Sequence, residues 1–253
     1  MTTDTPTPPA TPYDVAFHRG FADGSSRSAA VIVPLVMDFV KPASVLDVGC
    51  GLGTWLAEFA RAGVTDYLGM DGDYVLRTDL LIPAERFRPA DLATAPHPGR
   101  RFDLVTCLEV AEHLPEASAA PFVAMLTGAA PVVLFSAAVP GQGGVNHINE
   151  QWPPYWRALF AAHGFVRLDP VRPRVWRDGR VEWWYRQNVY LFVREELLSQ
   201  RPEFRTEHEI ASACPLELVH ENIVRGSLGS EPTLRQLVTG FPGALVRKLK
   251  RHS

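Results

Sequence analysis

Val45-Leu46-Asp47-Val48-Gly49-Cys50-Gly51-Leu52-Gly53-Thr54-Trp55-Leu56 is the stretch from which the rest of the chain can be read. Residues 45–48 read as a short buried strand, residues 49–53 as a glycine turn, and a helix opens at Thr54. Glycine is needed where the backbone turns sharply or a ligand presses on it, because a Cβ would collide. The free N–H groups at the start of the next helix then offer hydrogen bonds to a polar or acidic ligand. A strand, a glycine turn and a helix in this order form the nucleotide-binding corner of a doubly wound α/β domain.

Composition agrees with one such domain plus additions. The chain has 253 residues, 46% of them hydrophobic and 21% charged, which suits a globular core. A net charge of −3 gives no general affinity for nucleic acid, so none is expected as a partner. Cys50, Cys107 and Cys214 are odd in number and lack metal-type spacing, which fits a reducing compartment. There is neither an apolar run of membrane-span length nor a secretion pattern at the start. The expected location is cytoplasmic.

Outward from the glycine turn, strands and helices alternate. Residues 1–12 are mostly Thr, Pro and Ala and read as a disordered tail. Tyr13, Phe17 and Phe21 precede a helix over 25–40, where Pro34 argues for a kink. Helices are expected over 54–62, 116–127 and 156–163, and strands over 67–70, 87–88, 102–108 and 132–135. Residues 165–168 and 188–193 read as a closing hairpin around the turn Asp178-Gly179. The fold class is therefore α/β, a Rossmann-like doubly wound sheet, mostly parallel with one antiparallel strand from that hairpin. Residues 13–194 make the domain, and residues 195–253 read as a C-terminal extension.

Two details narrow the ligand. A dinucleotide fingerprint wants Gly or Ala where this chain has Thr54, which disfavours NAD and FAD. Asp47 lies inside a strand, where a carboxylate is costly unless it is hydrogen-bonded. Leu46-Asp47-Val48-Gly49-Cys50-Gly51-Leu52-Gly53 resembles the first motif of class I S-adenosylmethionine (SAM)-dependent methyltransferases. That resemblance implies seven strands in the order 3-2-1-4-5-7-6, with SAM as methyl donor. It also implies that Gly49, Gly51 and Gly53 wrap the methionine end while Asp47 lies near its amino group. Asp71, about twenty residues past the turn, is placed to accept both ribose hydroxyls. Asp91 with apolar Leu92 matches the family's adenine contact.

The chemistry is expected at two further strand ends. Phe102-Asp103-Leu104-Val105 leading to Glu109-Val110-Ala111-Glu112-His113-Leu114 looks like the family's fourth motif. A later loop, Pro140 to Trp156, carries Asn146-His147-Ile148-Asn149-Glu150 after three glycines. Glu109, Glu112 and His113 with His147 are similar to the metal-ligand pattern of small-RNA 2′-O-methyltransferases. The first three also resemble a segment of ubiquinone-pathway O-methyltransferases. The resemblance implies a divalent cation, Mg, Mn, Zn or Fe, at these four residues. Glu109 is counted with the cofactor contacts as well. Without a metal, His147 or His113 takes the acceptor's proton as the catalytic base.

The resulting expectation is O-methylation of a small-molecule acceptor, a specialised metabolite or a sugar. An RNA-terminal 2′-O-methyltransferase and a non-catalytic SAM-binding subunit are the rival readings. Trp152, Tyr155 and Trp156 are expected to floor the substrate pocket, and Trp183, Trp184 and Tyr185 to wall it. In the last segment, Leu245, Val246 and Leu249 alternate with Arg247, Lys248, Lys250 and Arg251, a pattern suited to weak contact with an anionic membrane or a partner.

Overall fold

Residues 45–48 are all buried, and Ser44–Val48 forms β1 at the centre of a seven-stranded sheet. The computed structural model describes residues 15–214 and 218–221, with side chains from residue 23 onward. The disordered tail expected over 1–12, the side chains of Tyr13, Phe17 and Phe21, and the basic segment 241–253 lie outside the described residues.

The other strands are β2 (Asp66–Asp71), β3 (Phe87–Pro89), β4 (Leu104–Leu108), β5 (Val132–Ser136), β6 (Phe165–Leu168) and β7 (Tyr190–Arg194). Their order across the sheet is β3-β2-β1-β4-β5-β7-β6. The first five run parallel, and β7 lies antiparallel between β5 and β6. Register sets Asp47 opposite Gly69 on one side and Thr106 on the other. Alternate residues of each strand feed two cores. Val45, Leu104 and Leu191 pack with Ile32, Leu56 and Phe59 of α1 (Val15–Val40) and α2 (Thr54–Arg61). Leu46, Val105 and Phe192 pack on the other face with Phe122 and Phe160 of α3 (Glu116–Ala129) and α4 (Pro153–Ala161).

Three sequence expectations change. First, α1 runs unbroken through Pro34 and starts ten residues before residue 25. Its buried face, with Ile32, Val33 and Val36, supports the helix where the proline removes one backbone bond. Second, α4 begins at Pro153 rather than residue 156, because Pro153 and Pro154 supply its first turn. Third, β6 and β7 pair, but no tight hairpin joins them. The connection holds α5 (Arg172–Val175) and α6 (Trp183–Asn188), with Asp178-Gly179 between them. The hydroxyl of Ser28 accepts the N–H of Glu182 at 2.9 Å, and Glu182 is the N-cap residue just before α6. A hydrogen bond from α1 therefore caps a helix inside the segment read as the turn of a hairpin.

Beyond β7, α7 (Leu197–Gln200) and α8 (Pro202–Ala213) stay with the sheet. Phe204 is fully buried and stacks on Phe39 with ring centroids 5.0 Å apart. Arg201 donates to the carbonyls of Phe39 (2.7 Å) and Val40 (3.4 Å), which satisfies the carboxyl end of α1 with a cation. Among the described residues, no helix is long and apolar enough to cross a membrane.

Candidate active site

The glycine turn is held closed by the end of β2. The N–H groups of Gly49 and Cys50 donate to the Met70 carbonyl at 2.7 and 3.2 Å, and that of Gly51 donates to Asp71 Oδ2 at 2.7 Å. Gly49 has φ +80°, and a Cβ there would lie 2.2 Å from a methyl of Val110. Only glycine lets β1 and the segment after β4 come this close. The other oxygen of Asp71 accepts the N–H of Gly72 (2.7 Å) and the Tyr74 hydroxyl (2.5 Å). Asp71 thus braces the turn as well as lining the cavity beside it.

That cavity, about 890 Å³, opens at the carboxyl ends of the parallel strands, where doubly wound sheets bind ligands. Asp47, Gly49, Gly51, Asp91 and Leu92 line it with Asp71. Gly53 is not on the lining; it has φ +81° and a Cβ there would meet Ile82 at 2.7 Å. Asp91 Oδ1 accepts the N–H of Ala93 at 3.0 Å and so fixes the loop after β3. Asp47 is 2% exposed; its Oδ1 accepts the Thr106 hydroxyl at 2.6 Å, and its Oδ2 has no partner. Burial, resisted by the Thr106 bond, pushes its carboxyl up to about 7.

At the far end of the cavity, the 3-10 turn Ala111–His113 follows β4. Ligand atoms of Glu112, His113 and His147 lie within 4.8 Å of one another. Glu112 is fully buried and neither carboxylate oxygen has a hydrogen-bond partner. Burial, followed by the nearby Glu109 charge, pushes its carboxyl well above the usual range. The rings of His113 and His147 meet edge to face, 4.8 Å between centroids. His147 Nδ1 sits 3.0 Å from a Glu150 oxygen, and Glu150 is itself fixed by the N–H groups of Gly141 and Gly143. A carboxylate on Nδ1 leaves Nε2 with the lone pair. His113 Nδ1 lies 3.3 Å from the Asn146 carbonyl, and burial, then the His147 charge, lowers its pKa to about 4. It is neutral near pH 7 and able to act as ligand or acceptor.

Glu109 belongs elsewhere. It is a non-glycine residue with φ +56°, and its N–H is bonded to the carbonyl (3.0 Å) and hydroxyl (3.1 Å) of Ser136. Gln142 Nε2 donates to one oxygen at 2.8 Å and Asn188 Nδ2 to the other at 3.2 Å. Asn188 also donates to Gln142 Oε1 at 2.8 Å. Of the four expected metal ligands, the structure therefore brings three together. The left-handed backbone at Glu109 breaks the helical register assumed from the spacing, and two amides hold its carboxylate.

Trp183, Trp184 and Tyr185 line the cavity from α6, and Trp55 lines it from α2. Trp152, Tyr155 and Trp156 do not floor it. Trp156 is buried in the core instead, its ring 5.3 Å from that of Phe135. Starting α4 three residues early turns that side chain inward.

A sequence profile described as a methyltransferase domain matches residues 25–171. The chain belongs to the class I SAM-dependent methyltransferase family. Relatives include a protein named ubiquinone biosynthesis O-methyltransferase from Methylococcus capsulatus, 31% identical over 167 residues, covering 58% of this chain and 64% of that one. A protein of the same name from Neisseria meningitidis serogroup C is 30% identical over 172 residues, covering 61% and 67%. The match thus spans about two thirds of these relatives' length. The sugar N-methyltransferase KedS8 from Streptoalloteichus sp. ATCC 53650 shares the fold, with TM-score 0.57, 18% identity, and coverage of 77% of this chain and 98% of that chain.

The residues of this methyltransferase fit SAM. The unpartnered oxygen of Asp47 suits an ammonium group, and beside it Gly49 and Gly51 line the cavity without side chains. A pH effect follows. The raised carboxyl of Asp47 is neutral below about 7 and ionised above it. SAM affinity is expected to fall roughly tenfold per unit as pH drops below that value, with a proton released on binding near neutrality. Without SAM the sign of the stability effect is opposite. The fold holds this proton more tightly than the unfolded chain, so stability contributed by Asp47 is lost as pH rises from about 4 to about 7. Calorimetric titration with SAM in buffers of different ionisation enthalpy measures the proton; a pH-independent affinity and no proton release would exclude Asp47 as the ammonium partner.

Gln142, Asn188, Ser136 and Tyr74 were missed from the sequence. Gln142 sat in plain view within the glycine-rich loop, whereas Asn188 reads as the first residue of a strand and is the last of a helix.

Proposed function

We propose that the chain transfers the methyl group of SAM to a hydroxyl of a small molecule. The observation that carries this reading is the pair of imidazoles, His113 and His147, lining the far end of the cavity, the second held at Nδ1 by the Glu150 carboxylate. A hydroxyl is a weak nucleophile and needs a proton acceptor at the moment of attack. The oxygen–carbon bond forms as the sulfur–carbon bond breaks, the bonding pair goes to sulfur, and the hydroxyl proton passes to His147 Nε2. Glu150 on Nδ1 orients that ring and stabilises its cationic form. The relatives' name, O-methyltransferase, supports the same acceptor atom. Among the described residues the cavity lining holds no Lys or Arg, which speaks for a small molecule over an RNA end.

A second reading is favoured by Glu112. A buried carboxylate with two unpartnered oxygens beside two imidazoles is a donor set suited to a divalent cation. Held by Glu112, His113 and His147, such a cation would lower the pKa of the acceptor hydroxyl. Transfer from labelled SAM to a panel of phenols and sugars, before and after exhaustive chelation, separates the readings. Activity that survives in a metal-free preparation leaves the imidazole as base. Activity abolished by chelation and restored by Mg²⁺ or Mn²⁺ establishes the cation. Transfer only to amine or carbon acceptors would sink the hydroxyl reading.

A further inference from the structure

The charge of the cavity lining is one-sided. Asp47, Asp71, Asp73, Asp91 and Glu109 all line it, and among the described residues no Lys or Arg does. SAM brings one ammonium and one sulfonium against one carboxylate, and the reading above matches Asp47, Asp71 and Asp91 to its parts. Asp73 and Glu109 are left over, and of the two it is Glu109 that is gripped from the element carrying the aromatic wall. Carboxylates withdrawn from water are ordinarily paired with a cation. Here the carboxylate of Glu109 is held by neutral groups, the amides of Gln142 and Asn188 and the hydroxyl of Ser136, and by no Lys or Arg of the described cavity lining. Its backbone is strained into the left-handed region and clamped there by Ser136, so the side chain's placement is enforced rather than incidental. Asn188 belongs to the same short helix as Trp183, Trp184 and Tyr185, so one element supplies both the grip on Glu109 and the aromatic wall. Aromatic faces beside an uncompensated carboxylate attract cations.

We propose that the methyl acceptor carries a protonated amine, received by Glu109 against the Trp183–Trp184–Tyr185 wall. This rests on the hydroxyl-methylation reading and adds the acceptor's charge to it. Gln142 and Asn188 hold the carboxylate in place, and anionic acceptors are rejected by the same charge.

Tyramine, para-ethylphenol and phloretate carry one phenol hydroxyl each and differ in charge: cationic, neutral and anionic. Each is titrated calorimetrically into the full chain saturated with S-adenosylhomocysteine, and into Glu109→Gln loaded in the same way. Tyramine is expected to bind the wild type at least ~10-fold more tightly than phloretate, with para-ethylphenol between, and the order is expected to collapse in Glu109→Gln. Equal affinities in the wild type, no tyramine binding at millimolar concentration, or a preference that survives Glu109→Gln would overturn the proposal. The wild-type panel alone is decisive if the variant does not fold. A failure of S-adenosylhomocysteine itself to bind, seen at the loading step, would overturn the methyltransferase site reading and this proposal with it.

Discussion

Replacing His147 with Ala is expected to slow methyl transfer to a hydroxyl by ~10²- to 10⁴-fold. The variant removes the imidazole whose Nδ1 is tied to Glu150, and Glu150 in turn is tied to two backbone N–H groups of the glycine loop. A ring held at one nitrogen is a pre-oriented base at the other, so its loss falls on the chemical step. Binding of SAM is governed by the opposite end of the cavity and should change little. Single-turnover rates with labelled SAM, beside calorimetry of SAM binding, separate the two. If His147→Ala turned over normally, the residue would be reduced to a brace for the loop.

Asp71→Ala is expected to weaken SAM by roughly 10- to 100-fold, because losing a hydrogen bond to a charged group costs about 1.5–3 kcal/mol. The structure adds a cost the sequence did not show. Asp71 also accepts the N–H groups of Gly51 and Gly72 and the Tyr74 hydroxyl, so the variant removes three hydrogen bonds that hold the turn and the end of β2 together. Affinity should therefore fall through a loosened glycine turn as well as through the lost contact. Asp71→Asn keeps one acceptor oxygen and should fall between wild type and Ala. Calorimetry of all three decides it, and an Asp71→Ala protein that folds and binds SAM at full strength removes the residue from the site.

The corner built from β1, the glycine turn and α2 was legible because every residue in it obeys a local rule. Apolar Val45, Leu46 and Val48 make a strand, and glycines supply positive φ. The carboxyl-edge position of Asp71, Glu112 and His147 followed from alternating strands and helices. What failed was decided by distant partners. Residues 165–168 and 188–193 read as a hairpin, yet Ser28, 154 residues from Glu182, caps a helix between them. Glu109 has the right spacing for a shared helical face, yet bonds to Ser136, Gln142 and Asn188 pull it out of that register. Trp156 carries no local sign of which way it points; Phe135 from β5 settles that.

The position of β7 has a consequence for how the chain is made. Among the described residues it is the last strand to leave the ribosome, yet it is inserted between β5 and β6 rather than added at an edge. Until residues 190–194 emerge, β6 has no strand to pair with, and β5 presents an open row of N–H and C=O groups. The nascent chain therefore carries an exposed sheet edge for the whole time that residues 137–189 are synthesised. Completion of the sheet and closure of the aromatic wall are then one event, since α6 runs directly into β7.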